Sequence, residues 1–396
     1  MKFLIVEPKV KSKAPNIALM KWCRWCEQNG YEYKYVKGCI KLYQGEYVHK
    51  DAFVPDVILI SMIFTYYSDR YKKTIDFYSE KYPSAKIKVG GVFPTLFPNW
   101  FDKWRDIEVH QGMCHDIENI PPKYGIDILY EDQTAIHDSL DTIVMYASRG
   151  CVNKCAYCAV PRLEGSMKSF KSIKDTLTLA KEDMSNARSI VLYDNNFTEH
   201  EYFDQIINEL VEADLPVDIH GLHVDSFDEH KAKQFARLKW QAQSESGTAY
   251  LRFSFDKLKY ADNIEHALQL TKDYKIKASF FCYMLFNFTD KPEDFWWRIQ
   301  KTQEIVDKVE KTVFLFPQRY EPFKSLKRNS YIGKHWNEDL VRGLVRLFTF
   351  YGHGFIPITK SRNIYKWLGH DFDEFENNAY KMLNEKEKFV GYKTFF

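Results

Sequence analysis

The sequence predicts an α/β chain: a doubly wound parallel sheet, then a partial (β/α)6 barrel, then a helical extension. Three observations predict it. Short apolar runs alternate with helical patterns over residues 1–118, as in a parallel sheet with helices on both faces. The alternation restarts at residue 141 and passes through six strand–helix units by residue 336, too few to close the eight-fold barrel. From residue 337 to 396 the pattern is helical, rich in aromatics and charges.

The elements follow in order. "KFLIV" reads as the first strand, and "APNIALMKWCRWCEQNG" as a helix opened near Pro15 and Asn16 and closed by Gly30. "YEYKYV", "DVILISMIF", "KIKVGGV" and "IEVHQG" read as further strands, with "SDRYKKTIDFYSEKY" as helical material between them. Residues 119–140, with two prolines and no periodicity, read as a linker. The barrel strands are expected in "TIVMYASRG", "SIVLYDNN", "PVDIHGLHV", "AYLRFSFD", "KASFFCYML" and "TVFLFPQRY". Catalytic groups of such barrels sit at the carboxyl ends of the strands.

Composition narrows the function classes. A chain of 396 residues that is 45% hydrophobic, with 30 Phe and 26 Tyr, is globular and not disordered. A net charge of +2 is too small for bulk electrostatic attraction to nucleic acid. No apolar run has membrane-spanning length, and "MKFLIVEP" breaks at Pro8, so a cytoplasmic protein without membrane partners is expected. Thiols stay reduced there, and clustered cysteines point to metal or catalysis.

Three of the eight cysteines, Cys151, Cys155 and Cys158, crowd into "SRGCVNKCAYCAVPRLEG", just past the first barrel strand. Thiolates at this spacing suit zinc or an iron–sulfur cluster. A structural zinc site wants four ligands, and the loop offers no fourth Cys or His. A four-iron cluster held by three thiolates keeps one iron open. Cys23 and Cys26 share a helix face with no partner pair following, so packing is expected of them, as it is of Cys39, Cys114 and Cys282.

Cys-x3-Cys-x2-Cys with an aromatic, Tyr157, before the last Cys resembles the signature of radical S-adenosylmethionine (SAM) enzymes. "LYDNNF", "LRFSFDKL", "YMLFNFTDKPEDF" and "RYEPF" look like later segments of one branch of that superfamily, and residues 1–118 are similar to its Rossmann-like, cobalamin-binding-type (B12-type) domain. The resemblance covers about residues 1–336. It implies a [4Fe-4S] cluster on Cys151, Cys155 and Cys158, chelation of SAM by the open iron, and reductive cleavage to a 5'-deoxyadenosyl radical that abstracts hydrogen from a substrate. It also implies an external one-electron reductant of flavodoxin or ferredoxin type.

Further residues follow from this resemblance. Asp194, Asn195 and Asn196 end the second barrel strand, where acceptors for the SAM ammonium are expected; an ordinary Asp-Asn turn is the plain alternative. Arg252 suits a carboxylate, with a salt bridge inside the barrel equally open. Asn287 is a candidate for adenine or ribose, or a loop cap. His220, His223 and Asp225 of "HGLHVD" transfer poorly from the family pattern. Arg319, Lys324, Lys327, Arg328, Lys334 and His335 form a basic stretch that suits a phosphate or a solvated face. With Tyr283, Phe286 and Phe288 at the barrel mouth, it favours a small-molecule or nucleotide-type substrate, such as a nucleoside or modified base, over a lipid.

Cobalamin is the less favoured cofactor. The Asp-x-His of Asp218-Ile-His220 lies in the barrel and not in the first domain, and bulky "VFPTLFPNW" follows Gly90 and Gly91. The alternatives are a cobalamin-dependent radical SAM methyltransferase and, in another class, a non-enzymatic iron–sulfur or zinc module.

Overall fold

The computed structural model describes residues 1–10, 16–40, 53–131, 141–241, 249–352, 355–360 and 364–384. Pro15, residues 132–140 of the expected linker and residues 385–396 of the expected extension lie outside the described residues. The chain forms two compact units. One is residues 1–191 with 323–328; the other is 192–322 with 329–396.

The first unit opens with β1 (Lys2–Glu7), α1 (Ile17–Gln28), β2 (Glu32–Lys37), β3 (Val57–Ser61), α2 (Ser68–Lys81), β4 (Lys86–Gly90), α3 (Val92–Leu96), β5 (Ile107–Val109), α4 (His115–Glu118) and β6 (Ile128–Tyr130). Its six strands form a parallel sheet in the order β5-β4-β3-β1-β2-β6. Every residue of β3 is buried, as a strand covered on both faces requires. Asn16 caps α1, its side-chain oxygen accepting from the Ala18 and Leu19 N–H groups. The helix packs Leu19, Cys23 and Cys26 against Phe3, Ile5, Tyr35 and Leu59. The Cys23–Cys26 pair is core, and burial pushes the Cys26 thiol up to about 12.

One expectation changes here. β6 lies inside the stretch read as a linker and pairs with β2. It is a three-residue edge strand, too short to show a period in sequence.

The unit continues through β7 (Thr142–Met145), β8 (Ser148–Arg149), α5 (Val160–Leu163), β9 (Lys168–Ser169), α6 (Lys174–Asp183) and β10 (Ser189–Leu192). Asp183, at the end of α6, explains why the unit does not break at the linker. It pairs with Arg24 of α1 and, at 2.8 Å, with Lys123, and it accepts from the Tyr124 N–H at 3.0 Å. Gly125 sits so close that an added Cβ would lie 2.7 Å from the Asp183 carbonyl oxygen.

The second unit carries α7 (Phe203–Ala213), β11 (Val217–Ile219), α8 (Glu229–Phe235), β12 (Tyr250–Ser254), α9 (Ala261–Asp273), β13 (Ser279–Phe286), α10 (Pro292–Val309), β14 (Val313–Arg319), α11 (Glu338–Gly352), β15 (Ile356–Ile358), α12 (Tyr365–Leu368) and α13 (Phe372–Asn384). β12, β13 and β14 run parallel, so all six strands expected of the barrel are present as β7 and β10–β14. The extension is not purely helical, because β15 adds antiparallel to β14.

The strand period of two sorts this sheet's side chains. Leu251, Phe253, Phe280, Cys282, Met284 and Phe286 are buried, and Phe286 stacks on Phe295 of α10 at 5.0 Å. Tyr250, Arg252, Ser254, Tyr283, Phe314 and Phe316 share the other, half-exposed face.

Candidate active site

The three clustered cysteines sit on one loop, clasped by the hairpin of β8 and β9, whose residues pair Ser148 with Ser169 and Arg149 with Lys168. The loop must leave the hairpin through Gly150, where φ is +74° and an added Cβ would lie 2.3 Å from the Ser166 carbonyl oxygen. Only glycine fits there. Glu164 fixes the exit from both sides, accepting from Arg149 Nη2 at 2.9 Å and from the Gly150 N–H at 2.8 Å. The Cys158 N–H closes a turn onto the Cys155 carbonyl at 3.1 Å, and α5 follows at once.

None of the three cysteines is in a disulfide, and all three are half-buried. The Asn153 N–H points at Cys151 Sγ at 3.3 Å. Burial raises the Cys158 thiol; the Val160 N–H opposes this, while Cys155 and Cys151 add to it, so the three groups feel one another. Tyr157 lies half-buried between the last two cysteines. Among the described residues, no three His, Cys, Asp or Glu side chains are gathered as around one metal ion. Three soft donors on one fixed loop fit a four-iron cluster, whose thiolates each take a different iron and so stand further apart.

In the second unit, Asp194, Asn195 and Asn196 follow β10, as expected. Their backbone carries the β11 loop: an added Cβ on Gly221 would lie 2.2 Å from the Asp194 carbonyl oxygen. Asn196 is tied into the fold, its Oδ1 accepting from the Thr198 hydroxyl at 3.1 Å. Thr198 in turn accepts from the His223 N–H at 2.9 Å, which makes the His223 backbone part of the same brace.

Arg252 takes the salt-bridge alternative. Its guanidinium grips Asp218 with both Nη atoms, one at 3.0 Å. Asp218 is nearly inaccessible, and His220 Nε2 stands 3.7 Å from Oδ2, the oxygen that also accepts from Arg252 Nη2. Burial alone would raise the Asp218 carboxyl, but the Arg252 hydrogen bonds and the nearby His220 outweigh burial and hold it below its ordinary value. His220 leans on Tyr193 at 4.9 Å. Asp218 is the residue that sequence reading passed over. Its signal was there: Asp218 and His220 are two apart on a strand, hence on one face.

Two further expectations are corrected. Asn287 is fully buried with φ +66°, and its amide is engaged by the chain itself. Nδ2 donates to the Tyr331 carbonyl at 3.0 Å, and Oδ1 accepts from the Gly333 N–H at 2.8 Å. Of the two readings given for it, these contacts match the loop cap. Phe286 lies on the helix side of β13, so of the expected aromatic ring only Tyr283 is on the open face, packed on Phe316 at 5.6 Å, while Phe288 packs on Tyr320 at 4.5 Å. In the basic stretch, Arg319 is internal and donates to the Asn329 and Tyr331 carbonyls at 2.9 Å each, whereas Lys324, Lys327, Lys334 and His335 are exposed and Arg328 lies over Tyr66. Arg298, unnoticed in sequence, braces the strand ends from α10, donating to the Phe255 and Leu285 carbonyls at 2.9 and 3.0 Å.

No family model and no curated protein match the sequence. Among solved structures, OxsB, a cobalamin-dependent SAM radical enzyme captured with aqua-cobalamin and SAM, matches at a TM-score of 0.55 and 14% identity, over 77% of this chain and 52% of that one. The chain has the fold of a radical SAM enzyme. It spans about half the length of OxsB. Streptococcus suis SuiB, solved with the precursor peptide SuiA, matches at a TM-score of 0.33 and 14% identity, over 46% of this chain and 39% of that one, a likeness that carries no argument here. No helix among the described residues is long and apolar enough to cross a membrane.

At the carboxyl edge of the front sheet, described residues pair with one another. Asn16 Nδ2 donates to Ser61 Oγ at 2.9 Å, both buried, across the β1–β3 switch point. Glu7 pairs with Lys37 at 2.8 Å at the ends of β1 and β2. Gly91, with φ +105°, brings its backbone so near β3 that a Cβ would lie 2.7 Å from the Met62 carbonyl oxygen, and Phe93 just beyond it is fully buried on Tyr71 and Phe97.

Proposed function

We propose that the protein is a radical SAM enzyme whose front domain is a scaffold. The observation that carries the reading is the cysteine loop: three half-buried cysteines outside any disulfide, held by Gly150 and Glu164 past the first barrel strand, in a chain with the matching fold. When bound to Cys151, Cys155 and Cys158, a [4Fe-4S] cluster with one open iron would supply the electron that cleaves SAM to a 5'-deoxyadenosyl radical, drawn from an external flavodoxin or ferredoxin-type reductant.

The chain's own residues bind, orient and exclude water. Asp194 and Asn195 are the acceptors proposed for the SAM ammonium, with Asn196 holding their turn. Asp218 keeps the Arg252 guanidinium aligned, so Arg252 acts as an oriented charge on the open barrel face and not as a free carboxylate clamp. Tyr250, Phe281, Tyr283, Phe314 and Phe316 form an aromatic wall beside it, with Phe281 within 5.1–6.0 Å of Tyr250, Tyr283 and Phe316. Such a wall stacks planar groups and keeps water out, which supports a nucleoside, nucleotide or modified base as substrate.

The fold shared with OxsB, a cobalamin-dependent SAM radical enzyme, supports a second reading in which the front domain binds a corrinoid, and for that reading a methyltransferase is the expected enzyme. One experiment separates the two. The protein, reconstituted anaerobically and mixed with hydroxocobalamin, is gel-filtered and then reduced with dithionite in the presence of SAM. The scaffold reading expects about four irons per chain, no corrin absorbance, and 5'-deoxyadenosine without matching S-adenosylhomocysteine. A stoichiometric corrin spectrum with both products makes it a methyltransferase; stoichiometric zinc with no SAM cleavage removes the radical reading.

A further inference from the structure

A second polar site lies within the first unit. A cavity of about 600 Å³ opens between the α1 and α4 side and the β7–α6 side. That volume is within the range of small-molecule sites and well beyond a packing defect. Its apolar wall is formed by Ile17, Met145, Phe170 and Leu179. Three charged residues also line the cavity, Lys21, Glu118 and the exposed Asp175, and the first two are set into the wall.

Lys21, on the second turn of α1, turns its Nζ to the Glu118 backbone carbonyl at 2.7 Å and forms no ion pair with a carboxylate among the described residues. Burial, and after it the charge of Arg149, push the Lys21 ammonium down to about 8, and the nearby Glu118 charge does not outweigh them. Arg149 itself is paired with Glu164, so the uncompensated cation is Lys21. Glu118 contributes the opposite need. Its Oε2 is shielded from solvent and has no hydrogen-bond partner. Shielded polar atoms are normally paired, and leaving one unmade costs stability.

We propose that this cavity binds a small amino or hydroxy acid with an apolar side chain. The carboxylate complements Lys21, the adjacent ammonium or hydroxyl donates to Glu118 Oε2, and the side chain lies against the apolar wall. One ligand thereby answers both unmatched groups, which neither a simple anion nor a simple amine does. The site goes beyond the proposed activity, and its test needs neither SAM nor turnover.

Saturation-transfer NMR on the full reconstituted chain compares four probes: L-leucine, 2-hydroxyisocaproate, isocaproate and isoamylamine. Leucine and 2-hydroxyisocaproate should bind about tenfold more tightly than isocaproate, the equivalent of one hydrogen bond to a charged acceptor, and isoamylamine should bind weakest. Lys21→Met should abolish binding of all three acids. Glu118→Gln, on a short exposed helix, should bring leucine down to the level of isocaproate and decides the matter should Lys21→Met fail to fold. Absence of binding by leucine and 2-hydroxyisocaproate, equal binding by isocaproate, or affinities unchanged in Glu118→Gln would overturn the proposal.

Discussion

Glu164 makes the cysteine loop's geometry a measurable quantity. Its two oxygens are divided between the Arg149 guanidinium at 2.9 Å and the Gly150 N–H at 2.8 Å, and both side chains are mostly buried, at 13% and 16% exposure. Removing it with Glu164→Ala deletes two hydrogen bonds to a charged group and strands a mostly buried cation. At about 1.5–3 kcal/mol per such bond, less some solvent access, the loss is about 3 kcal/mol. For a unit of this size that lowers the thermal midpoint by about 6–12 °C. Glu164→Gln keeps an acceptor for the Gly150 N–H and loses only the ion pair, so it should fall about halfway between, by the same bond-by-bond reasoning. Because the loop that presents the thiols is set by these bonds, iron affinity should fall by about 10–100-fold in Glu164→Ala. Iron titration under anaerobic conditions, read beside calorimetry, checks both numbers. Full iron loading with an unchanged midpoint in Glu164→Ala would refute the idea that this carboxylate sets the loop.

Other outcomes follow from the same geometry. Cys151→Ala, Cys155→Ala or Cys158→Ala should each abolish the visible absorption of the reconstituted protein, whereas Cys23→Ala and Cys26→Ala should leave iron content intact and cost about 1–2 kcal/mol of stability as small core cavities. Asp218 titrates below its ordinary value when folded, so its contribution is present above the unfolded carboxyl value of about 3.9 and is lost as pH falls through the lower folded value; acid unfolding of Asp218→Asn should therefore show a shallower pH dependence in that window. Asn287→Ala should destabilise the chain by about 2–4 kcal/mol, since two buried hydrogen bonds vanish, while the KM for SAM of the folded fraction stays unchanged.

Much of this architecture was legible because its signals are periodic. β3 reads as a strand from an unbroken apolar run, and the six barrel strands each carry four or more apolar or alternating residues before a turn. β6 and β15 were not legible, since β6 lies in a Pro-containing stretch without periodicity and β15 in one read as helical, so each three-residue strand owes its existence to a neighbour. The cysteine loop was legible from spacing alone; its clasp was not, because Glu164 pairs with residues 14 and 15 positions away through a hairpin of two-residue strands. Asn287 was left between two readings for a physical reason. An asparagine at a strand's carboxyl end suits a ligand and a left-handed turn equally, and only the Tyr331–Gly333 segment, 44–46 residues on, decides between them. Arg252 needed its partner strand: Asp218 lies 34 residues earlier, and no local pattern joins them.

The central claim is that Cys151, Cys155 and Cys158 hold a cluster with one iron open to SAM. Electron paramagnetic resonance of the dithionite-reduced, reconstituted protein, recorded before and after SAM, tests it most directly. The account predicts a reduced [4Fe-4S] signal whose line shape changes on SAM addition and whose decay is matched by 5'-deoxyadenosine. A signal that SAM leaves untouched, or one that survives in Cys155→Ala, would contradict it.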